Sequence, residues 1–195
     1  MERIITIGRE YGSGGREIGR RLAEKLQFAF FDYQIVTELA KRTAFAEEYI
    51  LSIQEKRPYP VLPVPTVRMW APPNPMLDQH LEVFLKESEV IRDMADKAPC
   101  VIVGRCADAI LEGSADLLKV FVHADFEKRA KRIVEKYGET EEPTEKRLRD
   151  KDKRRALYYQ FYTDLEWGNM NHYHIILDSG SLGIEKCVDV IASLY

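Results

Sequence analysis

Residues 3–26, RIITIGREYGSGGREIGRRLAEKL, join an apolar run to a helical stretch through a glycine-rich turn. Ile18, Leu22 and Leu26 recur every four residues after the turn, as the buried stripe of a helix requires. A strand, a glycine-rich turn and a helix in this order surround an anion with backbone N–H groups and the positive end of the helix. The turn therefore predicts a phosphate-binding loop, with an ordinary tight connection between strand and helix as the alternative. The candidate phosphate-binding residues are Gly12, Ser13, Gly14, Gly15, Arg16 and Glu17.

The loop lacks the lysine of phosphate-binding loops of the form G-x-x-x-x-G-K-[ST]. Gly15 stands at the lysine position, and Arg16 or Arg9 could supply the missing positive charge. Arginine binds phosphate through two parallel hydrogen bonds, so the geometry must differ from that of a lysine. Glu17 lies near the position of the hydroxyl that holds Mg²⁺, where a triphosphate oxygen about 4 Å away would repel it by roughly 4 kcal/mol. We expect Glu17 to turn away or to bind Mg²⁺ through water.

Five short apolar runs alternate with helical stretches along the chain. Continuous apolar strands are typical of a sheet covered on both faces, and strands alternating with helices are typical of parallel βαβ units. The sequence therefore predicts an α/β fold with a five-stranded parallel sheet. A further buried helical stripe is expected at Phe126, Ala130 and Val134. The five predicted strands are residues 3–7, 28–31, 100–103, 117–124 and 174–178.

Two irregular regions interrupt this alternation. The first is an insertion at about 44–98, whose proline-rich part, residues 56–75, cannot form a regular helix. Long insertions in compact domains are more often functional flaps than filler, with a plain surface excursion as the alternative. The second is the basic region at about 137–156, where the eleven positions 145–155 include seven basic and three acidic residues. Such a run is usually a solvated helix face, and it also suits a lid that covers phosphates.

The composition of the 195-residue chain favours a single α/β domain, residues 1–195, because 45% hydrophobic content suffices for a full core. The net charge of −3 gives no general attraction to nucleic acid or anionic lipid. No apolar run approaches the roughly 20 residues of a membrane span. We therefore expect no nucleic-acid or membrane partner, and a monomer or homodimer in the cytoplasm. We expect Cys100, Cys106 and Cys187 to be small buried apolar residues rather than ligands of a metal.

Four segments resemble the cytidylate kinase-like family, a branch related to bacterial cytidylate kinases. ITIGREYGSGGREIGRRLAEKL (5–26) resembles the family's opening, and VIVGRCADAIL (101–111) resembles the segment around its Gly-Arg-Asp. RDKDKRRA (149–156) resembles the arginine-rich lid, and LDSGSLGIEKCVDVI (177–191) resembles the closing strand and helix. The resemblance implies a three-layer, P-loop NTPase-like nucleoside monophosphate kinase fold with a nucleotide-binding insertion and a mobile lid. It also implies ATP as the phosphoryl donor, with Mg²⁺ held through the phosphates.

The resemblance further implies roles for particular residues. Arg105, at the end of a predicted strand, would bind the acceptor, with a structural ion pair as the alternative. Asp32 matches an aspartate beside the monophosphate site and would orient an arginine or the metal, or cap the following helix. Arg16, Arg105, Arg155 and Asp32 form the candidate catalytic set, and Asp32, Arg105 and Asp108 the candidate substrate-binding set. The lid residues expected to reach the phosphates are Arg149, Asp152, Arg154 and Arg155.

Two positions depart from the family pattern. Cytidylate kinases carry an aspartate after the Gly-Arg and a serine after the strand-end aspartate, both tied to recognition of cytidine monophosphate, whereas this chain has Cys106 and Tyr33. Asp108 could accept hydrogen bonds from a cytosine amino group or a ribose hydroxyl. We expect transfer of the γ-phosphoryl group of ATP to a nucleoside monophosphate, with CMP or dCMP first. A non-catalytic nucleotide-binding module and a kinase of another small metabolite are the alternatives.

Overall fold

The structure, a computed structural model, describes residues 3–55, 75–114, 116–137 and 144–194. Strands in these residues form one five-stranded sheet in which every pairing is parallel. They are β1 (Ile4–Arg9), β2 (Ala29–Phe31), β3 (Cys100–Val103), β4 (Leu117–His123) and β5 (Ile175–Asp178). Their order across the sheet is β2-β3-β1-β4-β5. The predicted α/β class and five-stranded parallel sheet are confirmed.

Helices cover both faces of this sheet. In the described ranges they are α1 (Gly15–Leu26), α2 (Gln34–Arg42), α3 (Glu47–Glu55), α4 (Pro75–Ala95), α5 (Ala107–Ile110), α6 (Phe126–Tyr137), α7 (Thr144–Thr163), α8 (Ser179–Leu182) and α9 (Ile184–Ala192), with a 3₁₀ turn at Met170–His172. Ile5, Ile7 and Val103 pack on the face covered by α1 and α9, and Ile4 and Ile102 on the face covered by α2 and α4. The predicted three-layer arrangement is confirmed, with an apolar core on each side of the sheet.

Helix α1 starts directly after the glycine-rich turn. Its N-cap, Gly14, has a φ angle of 82°, and Gln27 ends the helix in the left-handed conformation at 57°. Ile18 and Leu22 are fully buried against the strands, as the stripe predicts, and Leu26 packs on the same core. The apolar face of α1 therefore fixes the loop above the end of β1.

The buried side of α6 lies one position away from the predicted stripe. Val134 is 42% exposed, whereas Ile133 is fully buried. Arg129, one turn earlier, is also buried, because its guanidinium pairs with Glu10 and Asp152 beside the glycine-rich loop. Residues four apart share one face of a helix. A buried arginine, which an apolar stripe cannot reveal, thus sets the orientation of α6.

The described parts of the predicted insertion and lid are helical. The insertion between β2 and β3 contains α3 and α4, and α4 packs on α2. Residues 56–74 of its proline-rich part, and residues 138–143 of the predicted lid, lie outside the described residues. The basic run forms the first half of α7, and the second half carries Tyr158 and Tyr159 onto Cys106. Helix α7 therefore approaches the turn that follows β3.

The three cysteines are buried and free, in agreement with the prediction of small buried residues. Among the described residues, no group of three or more His, Cys, Asp or Glu side chains is arranged to hold a metal ion. Within the same ranges, no helix combines the length and the apolar character that crossing a membrane requires.

Candidate active site at the carboxyl edge of the sheet

A cavity of about 260 Å³ lies at the carboxyl edge of the sheet, where β1 and β3 end. Open α/β sheets bind their ligands at this edge. Glycines of the two strand ends, Gly8 and Gly104, leave space there. The charged side chains of the lining are Arg9, Arg105, Asp108, Lys151, Arg154 and Arg155.

Hydrogen bonds hold the glycine-rich loop in a defined shape. Ser13 Oγ donates to the main-chain oxygen of Glu10 at 2.9 Å, and Ser179 Oγ donates to the main-chain oxygen of Ser13 at 2.6 Å. Gly12 and Gly14 have φ angles of 81° and 82°, a conformation that favours glycine. The loop is therefore preorganised at the start of α1, as an anion-binding turn should be.

The side chain of Arg9 fills the space between the loop and the turn that follows β3. A Cβ atom at Gly15 would lie 2.5 Å from Cβ of Arg9. A Cβ atom at Gly104 would collide with Nη1 of the same arginine. The start of α1 and the turn after β3 thus both need glycine where Arg9 passes, and a lysine at position 15 would displace Arg9.

Positive charge dominates the surroundings of Arg9. Burial, and then the charge of Arg155, lower the pKa of Arg9, and Arg105 and Arg16 lower it further. Asp32 opposes these effects in part. A guanidinium remains protonated near neutral pH, so the cluster keeps its excess positive charge. An anionic ligand would offset that excess.

Asp32 follows β2 and pairs with Arg16. Nε of Arg16 lies 2.5 Å from Oδ2 of Asp32. The N-cap of the next helix, α2, is Tyr33, and no side chain caps that helix. The structure therefore places Asp32 beside an arginine rather than in the capping role that the sequence left open. Arg16 is 66% exposed and is not among the residues that line the cavity.

Arg105 lies in a left-handed turn after β3. Gly104, Arg105 and Cys106 have φ angles of 76°, 59° and 55°, although only the first is a glycine. Left-handed backbone costs roughly 1–3 kcal/mol at a residue with a side chain and is concentrated at ligand sites. Nη1 of Arg105 donates to Glu87 of α4 at 2.6 Å, and the Tyr158 hydroxyl donates to the same carboxylate at 3.2 Å. Arg105 therefore forms an ion pair and lines the cavity as well.

Helix α7 is fastened to the glycine-rich loop. Asp152 accepts a hydrogen bond from the N–H of Tyr11 at 2.7 Å and another from Nη1 of Arg129 at 2.5 Å. Nη1 of Arg155 donates to the main-chain oxygen of Arg9 at 3.1 Å. Burial lowers the pKa of Arg155, and Asp152 opposes this effect. These contacts bring the basic half of α7 over the loop.

The remaining predicted lid residues lie in different places. Arg154 lines the cavity. The guanidinium carbon of Arg149 lies 5.0 Å from the ring centroid of Phe126, a cation–π contact with α6. Arg149 is not among the lining residues, so three of the four predicted lid residues gather at the loop and the cavity.

Glu17 connects α1 to α6. Its carboxylate pairs with Arg21 one turn later and with Arg132 and Lys136 of α6. Burial acts to raise the pKa of Glu17, but the hydrogen bond from Lys136 and the charge of Arg132 lower it below its ordinary value. Three cations thus offset the repulsion expected near a triphosphate, and both carboxylate oxygens have partners.

Asp108 is a buried carboxylate of the cavity, 6% exposed. The Tyr159 hydroxyl donates to its Oδ2 at 2.7 Å. Burial raises the pKa of Asp108, and the bond from Tyr159 opposes the rise. Tyr158, Trp167 and Tyr173 add aromatic faces to the same lining. The cavity therefore combines arginines for an anion with a polar acceptor and flat apolar surface.

Glu87 and the aromatic lining were not predicted from the sequence. A signal for Glu87 is present: Val83 and Val90, four residues before and three residues after it, are buried on the same face of α4. A glutamate within an apolar stripe must find a partner. The aromatic run 158–162 favours core packing when only the sequence is considered, and Tyr158 and Tyr159 do pack on Cys106.

Comparison with known proteins agrees with this architecture. A model of the cytidylate kinase-like family matches residues 4–181. This chain belongs to that family. A cytidylate kinase of Archaeoglobus fulgidus is 30% identical over 191 residues, which cover 96% of this chain and 91% of that protein. The family resemblance expected from the sequence is confirmed.

Solved structures share the fold. An uncharacterized protein from Eubacterium ventriosum has a TM-score of 0.74 at 26% identity, covering 99% of this chain and 98% of that chain. A shikimate kinase from Acinetobacter baumannii, solved in complex with shikimate, has a TM-score of 0.55 at 17% identity, covering 100% and 92%. The predicted P-loop nucleoside monophosphate kinase-like fold is confirmed. Family and fold are those of kinases of nucleotides or small metabolites, which implies ATP and typically a divalent metal.

Proposed function

We propose that this protein transfers the γ-phosphoryl group of ATP to a nucleoside monophosphate, with CMP or dCMP as the first acceptor. The cavity at the carboxyl edge of the sheet carries the proposal, because it joins an arginine cluster to a buried carboxylate and an aromatic lining. Membership of the family and 30% identity to a cytidylate kinase support it.

Arginines would do most of the work of such a reaction. Phosphoryl transfer depends on positioning the two phosphates in line and on offsetting the charge spread over the transferred group. In the proposal Arg105 binds the acceptor phosphate, and Arg154 and Arg155 bring charge from α7. Asp32 holds Arg16 beside the loop. Because α7 contacts the loop directly, α7 in this position would also exclude water from phosphates bound at the loop.

The aromatic lining favours a nucleobase over a polyhydroxy acid such as shikimate. A base can stack on the faces of Tyr158, Trp167 or Tyr173. A polyol instead needs a hydrogen-bonding partner for each hydroxyl. Asp108 offers a carboxylate that could accept from the exocyclic amino group of cytosine. Asp108 would thus take over the recognition of cytidine monophosphate from the aspartate and serine of cytidylate kinases, whose positions Cys106 and Tyr33 occupy in this chain.

The described residues do not form a protein cage for Mg²⁺. Both oxygens of Glu17 have cationic partners, and Asp32 is paired with Arg16. Mg²⁺ in kinases is held largely by substrate phosphates and water, with one or two carboxylates. We therefore assign Mg²⁺ to the phosphates of the donor, where it would neutralise charge. The chain itself supplies arginines rather than carboxylate ligands.

Product analysis tests the acceptor. The purified protein is incubated with ATP, Mg²⁺ and each ribonucleoside or deoxyribonucleoside monophosphate in turn, and the products are separated by ion-exchange chromatography. We expect CDP or dCDP from the best acceptor. Arg105→Ala should lower kcat/KM for that acceptor by roughly 100-fold, since one charged ligand is lost. Arg20→Ala, a change at an exposed residue of α1, should match the wild type.

Two other results would replace the proposal. Saturable ATP binding without product from any acceptor would favour a nucleotide-binding module, for which the missing loop lysine is the supporting observation. Product from shikimate or gluconate, with none from nucleotides, would favour a kinase of another metabolite.

A further inference from the structure

We infer that Arg9 takes the place of the missing loop lysine and binds the phosphoryl group while it is transferred. The inference rests on the proposed kinase function and identifies the cation on which transfer depends. Arg16 is the other arginine that the sequence offers for this role. Packing at two glycines and the partners of the neighbouring arginines distinguish the two.

Arg9 and a lysine at position 15 exclude each other sterically. A Cβ atom at Gly15 would lie 2.5 Å from Cβ and 3.1 Å from Cγ of Arg9, and 3.4 Å from Cβ of Val122. Neither the strand nor the start of the helix can yield by such an amount without moving the loop. Positions 9 and 15 therefore lie side by side, and only one of them can carry a long cationic side chain. In this chain position 9 carries it, as Arg9.

Gly104 provides the space in which the guanidinium of Arg9 rests. A Cβ atom at Gly104 would collide with Nη1 and would lie 2.7 Å from Cζ and 3.1 Å from Nη2. The next residue is Arg105, the candidate ligand of the acceptor. The guanidinium thus lies between the glycine-rich loop, where the donor would bind, and the acceptor side of the cavity. In the proposal, the phosphoryl group that passes from donor to acceptor crosses this position.

The partners of the arginines also single out Arg9. Arg16 pairs with Asp32 and is 66% exposed, and Arg105 pairs with the buried Glu87. Within the part of the chain that the structure describes, the guanidinium of Arg9 forms no hydrogen bond and no ion pair, and it lines the cavity. A cation in such a place is costly, and the charge of Asp32 offsets only part of that cost, so a ligand would supply the remaining counter-charge. A phosphate oxygen is the group that fits a guanidinium fork.

The chemical step needs no proton from Arg9. The bond between the γ-phosphorus and the β–γ bridging oxygen of ATP breaks, and the electron pair leaves with ADP. A new bond forms between that phosphorus and an oxygen of the acceptor's monophosphate. Arg9 donates hydrogen bonds to the oxygens of the moving group, stays protonated throughout, and offsets negative charge that is most spread in the transition state.

Substitution of Arg9 tests this role. Arg9→Met keeps the aliphatic stem and removes the charge, and we expect kcat to fall roughly 100- to 1,000-fold with a smaller change in KM for ATP. Arg9→Lys should recover part of that loss. Arg20→Met is the matched control, because Arg20 is exposed on α1 and should not affect kcat. Values of kcat for Arg9→Met within about threefold of the control would overturn the inference.

An exchange of the two positions tests the steric argument. Gly15→Lys alone should lose activity, because its side chain displaces Arg9. Arg9→Gly should lose activity as well. The double variant Arg9→Gly/Gly15→Lys restores a lysine in a loop with room for it, and we expect it to exceed Arg9→Gly in kcat by roughly tenfold or more. A double variant that is no more active than Arg9→Gly would contradict a shared role.

Binding of inorganic tripolyphosphate separates this inference from the proposed function. Tripolyphosphate should raise the Tm of the wild type by mass action and raise that of Arg9→Met far less. Without the anion, Arg9→Met should melt no lower than the wild type, because it loses an unpaired cation. If the wild type shows no turnover but gains more Tm from tripolyphosphate than Arg9→Met does, the kinase proposal is contradicted and the anion site at Arg9 is supported. Turnover together with an equal Tm response in both proteins would sink the role of Arg9 alone.

Discussion

Glu87→Gln should lower the stability of the protein strongly, although Glu87 lies outside the glycine-rich loop and the lid. The side chain of Glu87 is fully buried in α4 and accepts from Arg105 at 2.6 Å and from Tyr158 at 3.2 Å. The substitution keeps the shape and removes the charge. Arg105, which is 10% exposed, would then hold a positive charge without its partner.

The expected magnitude follows from this burial. Breaking a buried ion pair by removing one partner costs roughly 3–5 kcal/mol. Glutamine can still accept one hydrogen bond, so we take the lower end, about 3 kcal/mol. In a domain of this size each 1 kcal/mol lowers Tm by about 2–4 °C, which gives a decrease of roughly 6–12 °C. Glu89→Gln is the matched control on the same helix, because Glu89 is 57% exposed and its pair with Lys86 is worth little.

Differential scanning fluorimetry and urea denaturation measure the effect. Inorganic phosphate should return part of the lost Tm to Glu87→Gln, because an anion in the cavity can serve as the counter-charge of Arg105. The reasoning would be refuted if the Tm of Glu87→Gln fell within about 2 °C of that of Glu89→Gln.

Two further carboxylates give predictions of a different kind. Burial raises the pKa of Asp108, so the folded state binds its proton at a higher pH than the unfolded state, whose ordinary value is 3.8. The contribution of Asp108 to the free energy of unfolding therefore increases as the pH falls through the raised pKa, and urea denaturation of wild type and Asp108→Asn across acidic pH should diverge accordingly. Asp152→Ala removes the acceptor of the Tyr11 N–H, so hydrogen exchange at that amide should become roughly tenfold faster. Asp150→Ala on the same helix should leave the exchange of Tyr11 unchanged.

The fold could be predicted because its signals are local. Apolar runs without alternation, separated by helical stretches, determine a parallel sheet covered on both faces. The glycines of residues 8–15 lie next to β1 and α1 in the sequence, so the loop and its position could be read directly. The shift from Val134 to Ile133 in α6 shows the limit of such patterns, because the buried Arg129 set the helix face.

The site was less predictable because its decisive contacts join distant parts of the chain. Arg9 could be named as a candidate, but its steric relation to Gly104 depends on the pairing of β1 with β3. Glu87 reads as one more charge in a helix until its partner, Arg105, is known. The sequence offered both roles of Asp32, and the contact with an arginine became visible only when β2 was placed at the sheet edge.

Transfer of label from donor to acceptor tests the central claim most directly. The protein is incubated with Mg²⁺, ATP radiolabelled at the γ position and CMP, and the labelled species are separated. The account predicts label in CDP that appears only when CMP and active protein are both present. A parallel incubation contains dCMP in place of CMP. Label that remains in ATP or is released solely as inorganic phosphate in both incubations would contradict the account.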